Sequence, residues 1–156
     1  MASRRDQIRM TSEELASFLD EQRVMQVCTA GPSGRPHLMP LWYVVEDGPG
    51  LRGWTFAKSQ KAKNLERDPR ATLGIDDGVQ YHELRGVMFE CDVALEHDPE
   101  QLAALGENIF KRYGDGSDLP DEAREMVRKQ AEKRVGLTFT PTRTVTWDHR
   151  KLGGVY

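Results

Sequence analysis

Apolar residues near the start of the chain recur at helical spacing, and then the period changes. In "TSEELASFLDEQ", Leu15, Phe18 and Leu19 fall at i, i+3 and i+4, while Thr11 and Glu14 form a capping box, so residues 12–22 are predicted to be helix. "RVMQVCTA" then reads as a strand, "GPSGR" as a turn, and "PHLMPLWYVV" as the returning strand of a hairpin. "EDGPG" predicts a second turn before the strand at 51–57. Pro69 drives Asp68 out of the α region, so a short helix over about 60–67 must stop there. "RATLGID" is a fourth strand, and "LRGVMFECDVALE" a long fifth with Val87, Phe89, Cys91 and Val93 on one face. Asp98 caps a further helix that has Pro99 at its first position. A polar helix over about 120–133 follows, and two strands, "VGLTFTP" and "RTVTWDHR", close the chain.

Hairpin-length turns imply an antiparallel sheet rather than βαβ units, and about six or seven strands in one domain suggest a barrel. The expected fold class is α+β, mainly β with short peripheral helices, as one domain over 1–156 with its core at about 12–152. The length of 156 residues and the 38% hydrophobic content suit a globular domain. No apolar run reaches the length of a membrane span, and the N-terminus lacks a secretory h-region. Cys28 and Cys91 lie in strand-like apolar runs and read as small buried hydrophobes. A reduced, cytoplasmic protein is expected, and the net charge of −3 argues against a nucleic-acid binder.

Self-contained chemistry is missing from the sequence. There is no GxGxxG after a strand, no GxxxxGK[ST] and no GxSxG, and "HELRG" has Gly86 where a zinc-protease helix needs its second histidine. His37, His82, His97 and His149 show no ligand spacing, so no metal site and no catalytic side chain is assigned. A cofactor is therefore expected to carry any chemistry.

Against this background "AKSQKAKNLERDP" stands out. Five basic residues and two acidic ones give residues 58–70 a charge of +3 in a chain that is acidic as a whole. Ser59 sits between a strand and a helix, where free amides, the helix dipole and Lys61 in the first turn can together hold a phosphate. A short solvated helix explains the same residues. In either reading Lys61 is expected in an exposed first turn, with Lys63 facing away. The hairpin strand is apolar on both faces, with Leu38, Trp42 and Val44 on one and Met39, Leu41, Tyr43 and Val45 on the other. Its second face needs a cover, either a second subunit or a flat ligand. Pro40 puts this strand at an edge or at a bulge.

"GRPHLMPLWYVV", "WTFAKSQKAKNLERDPRATL", "LRGVMFECDVAL" and "RTVTWDHRKLG" resemble the pyridoxamine 5′-phosphate oxidase-like split β-barrel flavoproteins, nearest the branch that uses the deazaflavin coenzyme F420. The most specific part is Ser59, Lys61, Asn64, Leu65, Asp68 and Pro69. The resemblance implies an antiparallel split barrel, FMN-binding-protein-like, in a homodimer with cofactor clefts between the subunits. By position, Ser59, Gln60 and Lys61 would hold the cofactor phosphate, and Met39, Pro40, Leu41 and Trp42 would line its ring. Thr55 would flank the phosphate or ribityl chain, while Tyr81, Arg85 and Trp147 would be more distant or cross-dimer contacts. Lys58 and Lys63 are expected on the solvated face. Met39 and Gln60 stand where the oxidase has arginines, and its C-terminal substrate pattern is absent, so oxidation of pyridoxamine phosphate itself is not expected. The implied activity is an F420-dependent reductase passing hydride to a small unsaturated or conjugated acceptor. The alternatives are an FMN-dependent oxidoreductase of the same fold, or a flavin or deazaflavin carrier or sensor without turnover.

Overall fold

The structure, a computed structural model, describes residues 1, 3–47 and 50–154. A short helix α1 (Arg4–Gln7) precedes α2 (Ser12–Glu21), whose Thr11–Glu14 capping box is formed as expected. Then come β1 (Met25–Ala30), β2 (Pro36–Leu41), β3 (Val44–Val45) and β4 (Leu51–Phe56). Helix α3 (Gln60–Arg67) leads into β5 (Arg70–Asp77) and β6 (Arg85–Glu96). The chain finishes with α4 (Pro99–Tyr113), α5 (Asp121–Ala131) and β7 (Arg134–Asp148), followed by a 3-10 turn at His149–Leu152. The centre of the expected "EDGPG" turn, Gly48 and Pro49, lies outside the described residues. The Glu46 amide does donate to the Gly50 carbonyl, at 3.1 Å.

All pairings are antiparallel, and the seven strands run in the order β2-β1-β5-β6-β7-β4-β3. β2 and β3 therefore occupy opposite edges although only Trp42 and Tyr43 separate them in the chain. That crossing curls the sheet into a split β-barrel. It also corrects the expectation of one unbroken strand across 38–45. Tyr43 and Val44 are both buried, on successive residues, because they enter different cores. Tyr43 packs inside the barrel with Met25, Leu51 and Phe139, and Val44 packs under α4 with Trp54 and Leu105. Helix α4 thus covers part of the second apolar face that the sequence left open.

The corner is held from α4. The Tyr113 hydroxyl accepts from the Tyr43 amide at 2.8 Å and lies 2.7 Å from the Arg23 carbonyl. The Tyr43 hydroxyl donates to the Leu19 carbonyl at 2.7 Å, and burial pushes this phenol up to about 12. Arg112 donates to the carbonyls of Leu19 and Gln22, so the end of α2 is tied to the same corner. Where the crossing passes β4, a Cβ on Gly53 would lie 2.8 Å from the Trp42 carbonyl oxygen, so only glycine fits.

The two expected closing strands are one, β7, which runs through Pro141. Cys91 pairs with Pro141 and Glu90 with Arg143, so Thr142 is the extra residue of a bulge that absorbs the missing proline donor. Val87, Phe89, Cys91 and Val93 are all buried on one face of β6, as the alternation predicts. Burial also pushes the Cys91 thiol up to about 12, an inert thiol, while Cys28 is half-buried. Among the described residues no helix is long and apolar enough to cross a membrane.

Gly53→Ala should destabilise the protein by ~1–3 kcal/mol through overpacking at the crossing. Differential scanning calorimetry should show a melting temperature lower by several degrees. An unchanged value would mean that the crossing is looser than described.

Candidate functional site

Helix α3 fills the split between β1 and β4, and its sequence sets which residues face inward. Lys61, Ala62, Asn64 and Leu65 are buried while Lys63, Glu66 and Arg67 are exposed. Ser59 is the N-cap, accepting from the Ala62 amide at 3.2 Å. The Thr55 hydroxyl, on the inner face of β4, donates to the Ser59 hydroxyl at 3.3 Å. The amides of Gln60 and Lys61 are the first two of the helix and have no partner among the described residues.

Asn64 organises this end. It is fully buried; its side-chain amide donates to the Thr29 hydroxyl at 3.0 Å, and its carbonyl oxygen accepts from Gln60 at 2.8 Å and Arg67 at 3.3 Å. Thr29 is itself buried on β1, so this bond fixes the rotation of α3 against the sheet. The Gln60 side chain is therefore spent on Asn64, and only its backbone amide is open to a ligand.

The basic residues of 58–70 now separate. Lys63 pairs with Glu66, Arg70 forms two bonds to Asp68 at 2.9 and 2.8 Å, and Arg67 donates to the Ala30 carbonyl as well as to Asn64. Lys58 is exposed. Lys61 is only 5% exposed, with no ion pair or hydrogen bond among the described residues. Desolvation lowers its pKa below the usual lysine value. The expectation of an exposed first-turn lysine is therefore wrong. At i, i+3 and i+4, Lys61 shares the buried face with Asn64 and Leu65. The side chain is buried and its ammonium partly desolvated with no anion beside it, which favours an anionic ligand there.

The edge strand β2, paired to β1, carries the other predicted contacts. Pro40 pairs with Gln26 on the outermost strand, which accommodates a residue without an amide. Met39 is 47% exposed although its register partner Val27 is fully buried, because no strand of the split barrel covers β2 on its far side. Leu41 packs against the barrel core. Trp42 is half exposed, with one ring face stacked on Tyr113 at 4.2 Å between centroids and 5° between planes.

Residues 11–148 match the family model of pyridoxamine 5′-phosphate oxidase. The chain belongs to that family. A conserved hypothetical protein from Mycobacterium tuberculosis is similar at 41% identity over 99% of this chain and 95% of its own, with a TM-score of 0.89. An F420 reductase matches with a TM-score of 0.62 at 23% identity, over 82% of this chain and 93% of its own. A FAD-binding protein from Mesorhizobium loti matches with a TM-score of 0.63 at 16% identity, over 88% and 94%. At the last two identities the likeness is one of fold. No match is found among curated proteins.

Within this family's barrel the remaining predicted residues lie away from α3. Arg85 forms ion pairs with Glu21 at 2.7 Å and Asp77 at 2.8 Å and stands over the Phe18 ring, binding α2 to the sheet. Val93, at the α3 end of β6, bonds to Pro69; Arg85 lies eight residues back along the strand, roughly 26 Å at the usual rise. Trp147 packs on Gly86, where a Cβ would lie 2.3 Å from the ring. Tyr81 packs on His149 at 4.6 Å between ring centroids, and the Tyr81 carbonyl lies 3.0 Å from His149 Nδ1. Asp148 is bound by Arg150 at 2.8 and 2.6 Å, and Lys151 pairs with Glu14, so "DHRK" ties the C-terminal turn to α2. One chain thus brings Thr55, Ser59, Gln60 and Lys61 together at the start of α3 and sets Met39, Pro40, Leu41 and Trp42 along the β2 edge and its corner. Tyr81, Arg85 and Trp147 lie at the far end of β6. Among the described residues no cluster of metal-ligating side chains occurs. The anchoring roles of Asn64 and Tyr113 were not anticipated. The position of Asn64 three residues after Lys61 on one helix face was the available signal.

Lys61→Met should leave the apo protein equally stable or up to ~1 kcal/mol more stable at neutral pH, because it removes a desolvated charge and keeps the apolar stem. The folded chain resists this proton more than the unfolded chain does. Wild type should therefore gain stability relative to the variant as pH rises toward 10.5, the ordinary lysine value. Urea denaturation across this range measures both effects. A destabilised variant at neutral pH would show that the ammonium already has a partner.

Proposed function

We propose that this chain is a cytoplasmic, homodimeric, F420-dependent reductase with its cofactor cleft at the N-terminus of α3. The observation that carries the reading is Lys61, a largely buried lysine with no partner among the described residues, beside two open amides and the hydroxyls of Thr55 and Ser59. That donor set is complementary to a phosphate diester or monoester. Lys61 and the amides of Gln60 and Lys61 would hold the phosphate, with Thr55 beside it. The backbone of Met39–Leu41 and the exposed face of Trp42 would hold the planar ring system against the edge of β2. When bound, the deazaflavin supplies hydride to an unsaturated acceptor. The chain's own part is to bind, orient and exclude water, and no side chain is assigned as an obligatory acid or base. The likeness in fold to an F420 reductase supports this choice, and the likeness to a FAD-binding protein keeps FMN as the alternative cofactor.

The dimer rests on the uncovered outer face of the sheet. Cross-strand pairing lines up Leu38 with Cys28, and Gly74 with Met88 and Val145, on the face opposite the barrel core. Leu38 is 59% exposed in the isolated chain. Tyr81, Arg85 and Trp147, far from Lys61 in one chain, would reach the cleft only from a partner.

Fluorescence titration with F420 and with FMN tests the cofactor. F420 should bind at micromolar or better affinity, and Lys61→Met should weaken it roughly 10- to 150-fold, since a charge-assisted contact contributes ~1.5–3 kcal/mol. Lys63→Ala should change it little. FMN binding without F420 binding would select the alternative cofactor, and no binding of either would remove the proposal. Sedimentation should show a dimer at micromolar concentration, and Leu38→Lys should give monomers with weakened cofactor binding. A monomeric wild type would contradict the shared cleft.

A further inference from the structure

Beside the outer face of β4 lies a cation, Arg134, that the phosphate end of the cleft at α3 does not use. Along this strand Thr55 faces the barrel interior while Trp54 faces out, packed beneath α4 and α5. An open groove of about 450 Å³ lies there, between the helices and the corner at Leu41–Trp42. Its walls include Trp42, Trp54, Ile109 and Phe110, and its single charged lining residue is Arg134.

Arg134 is held in an unusual position for a cation. Its guanidinium lies 3.8 Å from the centroid of the Phe56 ring and 5.2 Å from that of Trp54. Its Nε is buried without a hydrogen-bond partner, and no acidic residue pairs with it among the described residues. Burial lowers its pKa below the ordinary arginine value. The surface continues past Phe56 and Met126 to Lys129 and Lys133, again with no acidic lining. In a chain of net charge −3 whose surface carries many ion pairs, this groove is cationic alone. The guanidinium fork fits a carboxylate through paired hydrogen bonds, and the rings fit a flat apolar body. The volume falls in the range of small-molecule sites.

We propose that the groove between β4 and the α4–α5 pair binds an aromatic carboxylate, with Arg134 pairing the carboxylate and Trp54 and Phe110 flanking the ring. The site stands on the opposite face of β4 from Thr55 and Ser59. It shares Pro40, Leu41 and Trp42 with the edge proposed to hold the cofactor ring, and its carboxylate end, at Arg134, is separate from Lys61.

Titration of the full chain with 2-naphthoate, and with its uncharged analogue 2-naphthamide, tests this by calorimetry and tryptophan quenching. Naphthoate should saturate one site per chain and bind at least ~10-fold tighter than the amide. Arg134→Met should abolish that preference, Arg134→Lys should restore part of it, and Lys61→Met should leave it intact. The naphthoate-to-naphthamide ratio in the unaltered protein stands as a test even where Arg134→Met fails to fold. Equal binding of the two compounds, or a preference that survives in Arg134→Met, would overturn the site. So would loss of naphthoate binding in Lys61→Met, which would put the ligand at α3. No saturation by about 2 mM would also overturn it, as expected where a second copy or another protein covers the groove.

Discussion

The hydrogen bond between the Tyr43 amide and the Tyr113 hydroxyl holds the corner where the sheet closes on itself. β2 and β3 lie on opposite edges, so the chain must leave one ladder and join the other within Trp42 and Tyr43. Backbone groups at such a break lose their ladder partners, and a buried unpaired amide is costly. Tyr113 supplies the partner from α4, and Gly53 supplies the space. The same residues divide the core, sending Tyr43 into the barrel and Val44 beneath α4.

Both proposed sites follow from that corner. Because the chain crosses early, most of β2 has no neighbour on its far side, and the barrel is left split. Helix α3 fills the split and is rotated into place by Asn64 and Thr29, which carries Lys61 inward. The packing that completes the barrel therefore leaves a desolvated ammonium at a helix N-terminus, which favours an anionic ligand over water. On the other face of β4, α4 and α5 cover Trp54 but leave Arg134 between two rings. Lys61 on α3 and Arg134 on β7 thus lie on opposite sides of β4, each without an ion pair among the described residues.

How much of this was legible follows from the range of each signal. Thr11–Glu14, Asp98–Pro99 and Asp68–Pro69 act within a few residues, and the helices they bound are where the sequence puts them. The alternation in β6 was equally local. The corner depends on Tyr113, distant from Tyr43 by 70 residues, and no local pattern shows it. The join of the last two strands into β7 depends on a bulge whose partner is Glu90, again a long-range feature. The proposed anion site was half legible. Its residue types and spacing were visible, but Lys61 read as exposed because α3 is short and polar, and the inward turn comes from a contact with β1. Arg134 was not seen, since nothing local distinguishes it from any arginine that opens a strand.

The most direct test of the site is the titration of the Lys61 ammonium itself, followed by NMR of the lysine side-chain nitrogens with Lys61→Met used for assignment. In the apo protein Lys61 should titrate below the other lysines, consistent with its desolvation. Addition of F420, or of FMN if that is the cofactor bound, should raise its pKa back to or above the ordinary lysine range, because an anion then faces it. A Lys61 that titrates with the surface lysines in the apo protein, or whose pKa does not move when cofactor binds, would contradict the assignment of α3 as the anion site.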